Sequence, residues 1–141
     1  MIKQRNVDNR DPLKMQRYET MLGTVSATIT ALPFHISSSR FVIPSVQFFY
    51  TAASASGSVR IQISDGSTLV YDSGVVATTG TAGNVAEALN TLNSAITYVP
   101  PSDSALGALP LVNQADILTV TVTPVTATYT NFQMRMAAEG A

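Results

Sequence analysis

The chain has one histidine and no cysteine, which narrows its chemistry at once. His35 lies between Phe34 and Ile36, just after Pro33. As a general base or metal ligand it needs partners at a defined spacing, and the sequence specifies none. It reads as a structural histidine in a β-rich segment. Asp65 and Asp72 could face each other across a hairpin, and paired carboxylates do acid–base work on glycosidic bonds. Aspartate beside a turn is the ordinary use of that residue, however. Ser67 follows Gly66 without the GxSxG elbow of a serine hydrolase. There is no HExxH, and the lack of cysteine removes thiol catalysis, disulfides and thiolate-bound zinc. The run Gly80–Gly83 (GTAG) could offer N–H groups to an anion at a helix start. It lacks the lysine of a P-loop and the spacing of a dinucleotide fingerprint. Asn6–Asp11 (NVDNRD) is rich in oxygen ligands but lacks the glycine and closing glutamate of a calcium loop. The expectation is a protein that is not an enzyme, with no cofactor, no metal and no small-molecule substrate.

The elements that carry these residues read as β. Val25, Ala27, Ile29 and Ala31 alternate with Thr24, Ser26, Thr28 and Thr30, as in a half-buried strand. Arg40–Tyr50 is a more apolar strand, with Pro44 marking an edge or bulge. Val59, Ile61 and Ile63 point one way, and Arg60, Gln62 and Ser64 the other. Ser64–Ser67 is a turn, so a hairpin is expected across Ser58–Asp72. Further strands are expected at Ala95–Val99, Ile117–Thr123 and Tyr129–Met136, the last with Phe132, Met134 and Met136 on one face. One segment breaks the period. Val85, Leu89, Leu92 and Ile96 stand at i, i+4, i+7 and i+11, which predicts a short amphipathic helix over Ala82–Ser94 capped by Thr81. Ser102–Asn113 is a loop carrying Leu106, Leu109, Leu111 and Val112, expected to cover its own sheet or a neighbouring subunit. The pattern predicts an all-β fold: an antiparallel β-sandwich or jelly-roll-like body with one short helix and an extended N-terminal arm.

Charge divides the chain. Met1–Thr20 holds eight of the seventeen charged residues, five basic against three acidic. Charged residues make up 12% of the whole, about half the usual fraction. The division is therefore an arm over 1–20 and a β-sandwich body over 21–141. A net charge of −1 gives no global field for nucleic acid, and the acids interleaved in the arm weaken it further. The uncharged stretch after the arm alternates at period two, so no membrane span or secretory signal is expected. This predicts a soluble protein kept in the producing cell or released with a particle. The arm should dock on a mixed-charge protein surface. Its candidate contacts are Ile2, Lys3, Arg5, Arg10, Lys14, Arg17 and Tyr18, with Val7, Leu13 and Met15 as further apolar anchors.

The mixed-charge arm, the Thr/Ala/Val-rich strands such as Ile117–Thr130 (ILTVTVTPVTATYT), the lack of cysteine and the size together resemble the cement, or decoration, proteins of tailed-bacteriophage capsids. The resemblance covers the whole chain in character and rests on no single motif. It implies a homotrimer made in the host cytoplasm and located on the virion surface. It also implies the major capsid protein as partner and a stabilising, non-enzymatic role. The alternatives are a carbohydrate- or receptor-binding module of a fibre or tail, and another structural piece of the head or tail. The absence of tryptophan argues against the sugar-binding reading.

Overall fold

A computed structural model describes residues 15–96 and 108–140. Among the described residues, eleven strands form two antiparallel sheets. They are β1 (Met15–Val25), β2 (Ile29–Ile36), β3 (Phe41–Val42), β4 (Ser45–Tyr50), β5 (Ala52–Ala53) and β6 (Gly57–Asp65). There follow β7 (Thr68–Asp72), β8 (Val76–Thr78), β9 (Gly83–Leu89), β10 (Ile117–Val125) and β11 (Tyr129–Gly140). Sheet I has the order β9-β4-β11-β1, with β3 and β5 also pairing β11. Sheet II has the order β2-β10-β6-β7, with β8 also pairing β6.

Two neighbouring chain segments pass together from one sheet to the other. β1 pairs β11 in sheet I, and their continuations β2 and β10 pair in sheet II. The corners fall at 26–28 and 126–128. The alternation expected over Val25–Ala31 therefore runs through a corner, with Val25 fully buried and Ala27 exposed. The hairpin over Ser58–Asp72 is formed by β6 and β7, closed by Gly66 and Ser67 between paired Asp65 and Thr68. Gly66 has φ +62, the left-handed value that a II′ turn requires at its first central position.

The core lies between the sheets because period two sends alternate side chains inward. Phe48, Tyr129, Phe132, Met134 and Met136 come from sheet I, and Ile61, Ile63, Leu118, Val120 and Val122 from sheet II. Phe48 stacks on Phe132 with centroids 5.3 Å apart, and Tyr129 meets Tyr50 edge-on at 4.9 Å. These are the geometries aromatic quadrupoles favour. Phe49 is excluded by parity and lies half-buried on the outer face.

Three sequence expectations are corrected. Gly83–Leu89 is strand β9, paired with β4 through Gly83↔Tyr50 to Leu89↔Ser45, so the helix over Ala82–Ser94 does not form. Three of the four apolar residues of the expected stripe are still used, because Val85 packs on the main core while Leu89 and Ile96 join Val42 and Leu109 in a second cluster; Leu92 is exposed. Pairing satisfies the β4 edge, whereas a helix this short gains little on its own. Residues 91–96 form turns, so no strand begins at Ala95, and 97–99 lie outside the described residues. Finally, Met15–Thr20 belongs to β1, so the sheet starts inside the segment assigned to the arm. In the 102–113 loop, Leu109 and Val112 are buried against their own chain, and Val112 bridges Phe41. Leu106 lies outside the described residues.

Candidate interaction surface

Of the seven expected contact residues, Ile2, Lys3, Arg5, Arg10 and Lys14 lie outside the described residues. Arg17 and Tyr18 are adjacent in β1, and strand alternation sends them to opposite faces. Tyr18 packs against the core. Its ring centroid lies 4.4 Å from that of His35, and its hydroxyl donates to Gln16 Oε1 at 2.5 Å.

Arg17 lies on the outer face of sheet I, where it opens a ladder of polar contacts across four strands. Arg17 Nη2 lies 3.3 Å from Glu87 Oε1 on β9, and Glu87 Oε2 accepts from Ser45 Oγ on β4 at 2.6 Å. Next to it, Glu19 Oε2 accepts from Arg135 Nε at 3.1 Å and Nη2 at 2.9 Å. Gln133 Nε2 donates to Glu19 Oε1 at 3.2 Å, and Arg135 Nη1 to Gln47 at 3.4 Å. The Arg135 guanidinium also sits 5.7 Å over the Phe49 ring. Exposed pairs of this kind contribute at most about 1 kcal/mol each. Among the described residues, this ladder sets two guanidiniums against two carboxylates.

The second feature is at the end of the sandwich where β2 finishes and β10 begins. Pro33, Phe34, His35, Ile36 and Ile117 line an open depression of about 560 Å³. Ile36 and Ile117 are register partners, and both are exposed. His35 is ringed by Tyr18, Phe34 and Phe41, with the latter two centroids at 6.2 and 6.1 Å. Burial lowers its pKa, since an apolar surround disfavours the imidazolium. Its Nε2 is buried without a hydrogen-bond partner. These are the surroundings of a packed histidine, as the sequence suggested.

The carboxylates do not assemble a catalytic pair from Asp65 and Asp72. Asp72 is the register partner of Gln62, whereas Asp65 pairs Thr68 at the turn. Asp72 is fixed by Arg60, with Nε to Oδ1 at 3.0 Å and Nη2 to Oδ2 at 2.5 Å. Burial works to raise its pKa, yet Arg60, the Gly74 N–H and Gln62 together hold it below the ordinary carboxylate range. Asp65 instead meets Asp116. The hydrogen bond from their shared proton, with burial and like-charge repulsion, pushes Asp65 up to about 6. Among the described residues, no cluster of His, Asp and Glu could hold a metal. The Gly80–Gly83 run leads into β9, so it offers no helix N-terminus to an anion.

Sequence reasoning missed Asn90, which is 1% exposed just after β9. Its Nδ2 donates to Ile43 O at 2.8 Å and Val70 O at 2.9 Å, and its Oδ1 accepts from Leu92 N at 3.1 Å. Its own N–H donates to Pro44 O at 2.8 Å. One amide side chain thus ties the lead into β4 of sheet I to β7 of sheet II. Only its position at the end of an apolar run could have flagged it. Among the described residues, no helix is long and apolar enough to cross a membrane. No protein-family model matches this chain, and neither the curated proteins nor the solved structures contain a match.

Proposed function

We propose that this protein is a structural component of a virion, a capsid decoration protein that binds the outside of the major capsid shell and stabilises the particle. The observation that supports this reading most is the way the charged amino-terminal segment joins the body. Residues 1–14 run directly into β1, an edge strand held to β11 through nine register pairs from Met15↔Glu139 to Val25↔Tyr129. A segment of Lys3, Arg5, Arg10 and Lys14 with apolar Ile2, Val7 and Leu13 thus emerges from a fixed position on a β-sandwich. Arg17 and Glu19 continue its mixed charge onto the outer face of sheet I. A particle presents many copies of one surface, so three such segments on a trimer would convert modest contacts into lasting attachment.

The decisive experiment is removal of residues 1–14, leaving β1 whole. The truncated body is expected to stay folded, with an unchanged β circular-dichroism spectrum, and to fail to co-sediment with capsid shells that retain the full chain. Equal retention of both proteins on the shells would overturn the proposal.

A further inference from the structure

A sheet recruits further strands through its edges, and folded proteins blunt the edges that must stay free. Among the described residues, three of the four strands that end the two sheets are blunted. β2 carries Pro33, a positive φ at Ala31 and two register shifts against β10. β7 is covered by Asn90 and Thr91, which donate to the carbonyls of Val70 and Asp72. β9 is interrupted by a register shift between Val85 and Ala88. β1 differs. From Met15 to Met21 it pairs β11 at seven consecutive positions, with no shift and no proline. Among the described residues, no strand pairs its other side.

We propose that the Met15–Met21 edge of β1 pairs with the same edge of a second copy of this chain, antiparallel and centred on Tyr18. The charge pattern selects a second copy as the occupant. About a two-fold axis at Tyr18, Arg17 of each chain stands opposite Glu19 of the other, and Met15 opposite Met21. Opposite charges set directly across an antiparallel pair attract. Sliding the pair by two residues either way puts Arg17 against Arg17 or Glu19 against Glu19, so the register is specified. The polar ladder also continues across the axis. Glu87, Arg17, the second copy's Glu19 and its Arg135 follow one another with alternating sign. Met21, 67% exposed, gains an apolar neighbour in Met15 of the other copy. Seven residues a side is small beside the roughly 20–30 of a stable interface, so the pair forms where copies are concentrated. The pairing stands by itself. Its use, joining neighbouring copies on a shell, rests on the proposed function.

The chain has no cysteine, so introduced thiols can be read without ambiguity. Full chains bearing Met15→Cys or Met21→Cys are oxidised at high protein concentration, each alone and mixed in equal parts. The mixture is expected to form disulfide-linked dimer about fivefold or more faster than either chain alone. Positions 15 and 21 lie opposite in the proposed register, whereas like positions lie about 20 Å apart. Adding Arg17→Glu to the Met15→Cys chain should remove most of that gain, and adding Glu19→Arg to the Met21→Cys chain should restore it. A role of Arg17 confined to Glu87 of its own chain gives no such rescue. Equal rates in the three samples, faster linking of like positions, or a missing rescue would overturn the pairing. Shell co-sedimentation of the cysteine-free chain separates the two ideas. Linking without shell binding retains the pair and removes the decoration role, whereas shell binding without linking does the reverse.

Discussion

Asn90 is the polar residue on which the two sheets converge. Replacing it with leucine would strip donors from the carbonyls of Ile43 and Val70. Buried acceptors left unpaired cost about 1–3 kcal/mol each, so Asn90→Leu is expected to lower stability by roughly 3 kcal/mol in urea denaturation. Two titrating side chains act in opposite directions with pH. The pKa of folded His35 lies below the ordinary 6.5, so its contribution is present above that value and is lost as pH falls through the folded value. Asp65 has the opposite sign. Its folded pKa of about 6 exceeds the ordinary 3.8, so it favours folding at acid pH and loses that contribution as pH rises from about 4 to 6, while Asp116, held low by the same hydrogen bond, shifts the other way and offsets part of it. The melting temperature of His35→Phe is expected to fall less on acidification than that of the parent. Asp65→Asn, which removes the repulsion with Asp116, should melt higher than the parent at pH 7. Parallel pH–melting curves for all three proteins would sink this account.

At the scale of elements, β1 marks where the amino-terminal segment ends and the fold begins. Deleting residues 1–14 should leave the melting temperature nearly unchanged if β1 remains intact. Deleting 1–20 removes six of the nine β1–β11 register pairs and uncovers the core beside Tyr18. That loss should cost roughly 3 kcal/mol or more, seen as a lower urea midpoint. Much of the fold was legible because period two is strict where one face is buried. Val59, Ile61 and Ile63 are all fully buried, as are Phe132, Met134 and Met136. Strand β9 was not legible for a physical reason. Its apolar residues fit a helical stripe, and the choice of strand is made by β4, more than thirty residues earlier. Long-range partners escape a local reading in the same way. Nothing near Arg17 points to Glu87, seventy residues away, and the buried amide of Asn90 makes no local pattern. The break between β1 and β2 hid inside an alternation that continues smoothly through the corner.

For the whole molecule, low charge and paired charges on the outer face of sheet I suit contact with other protein surfaces. Arg17, Glu87, Glu19 and Arg135 already satisfy one another, so covering them strands no single charge. Light scattering behind a sizing column tests the assembled state. A trimer of about 45 kDa, three times the 14.9 kDa chain, is the expected mass for a protein seated at three-fold junctions. A persistent monomer would restrict assembly to the particle surface.

The β1–β11 pairing also has a mechanical consequence. Antiparallel hydrogen bonds lie across the strand axis. A pull on residues 1–14 directed along β1 therefore shears all nine register positions at once. A pull directed away from the sheet opens the same ladder one rung at a time, starting at Met15. The tether should thus resist lengthwise tension far better than lateral tearing. A body held along that axis would ride out swelling of the surface beneath it.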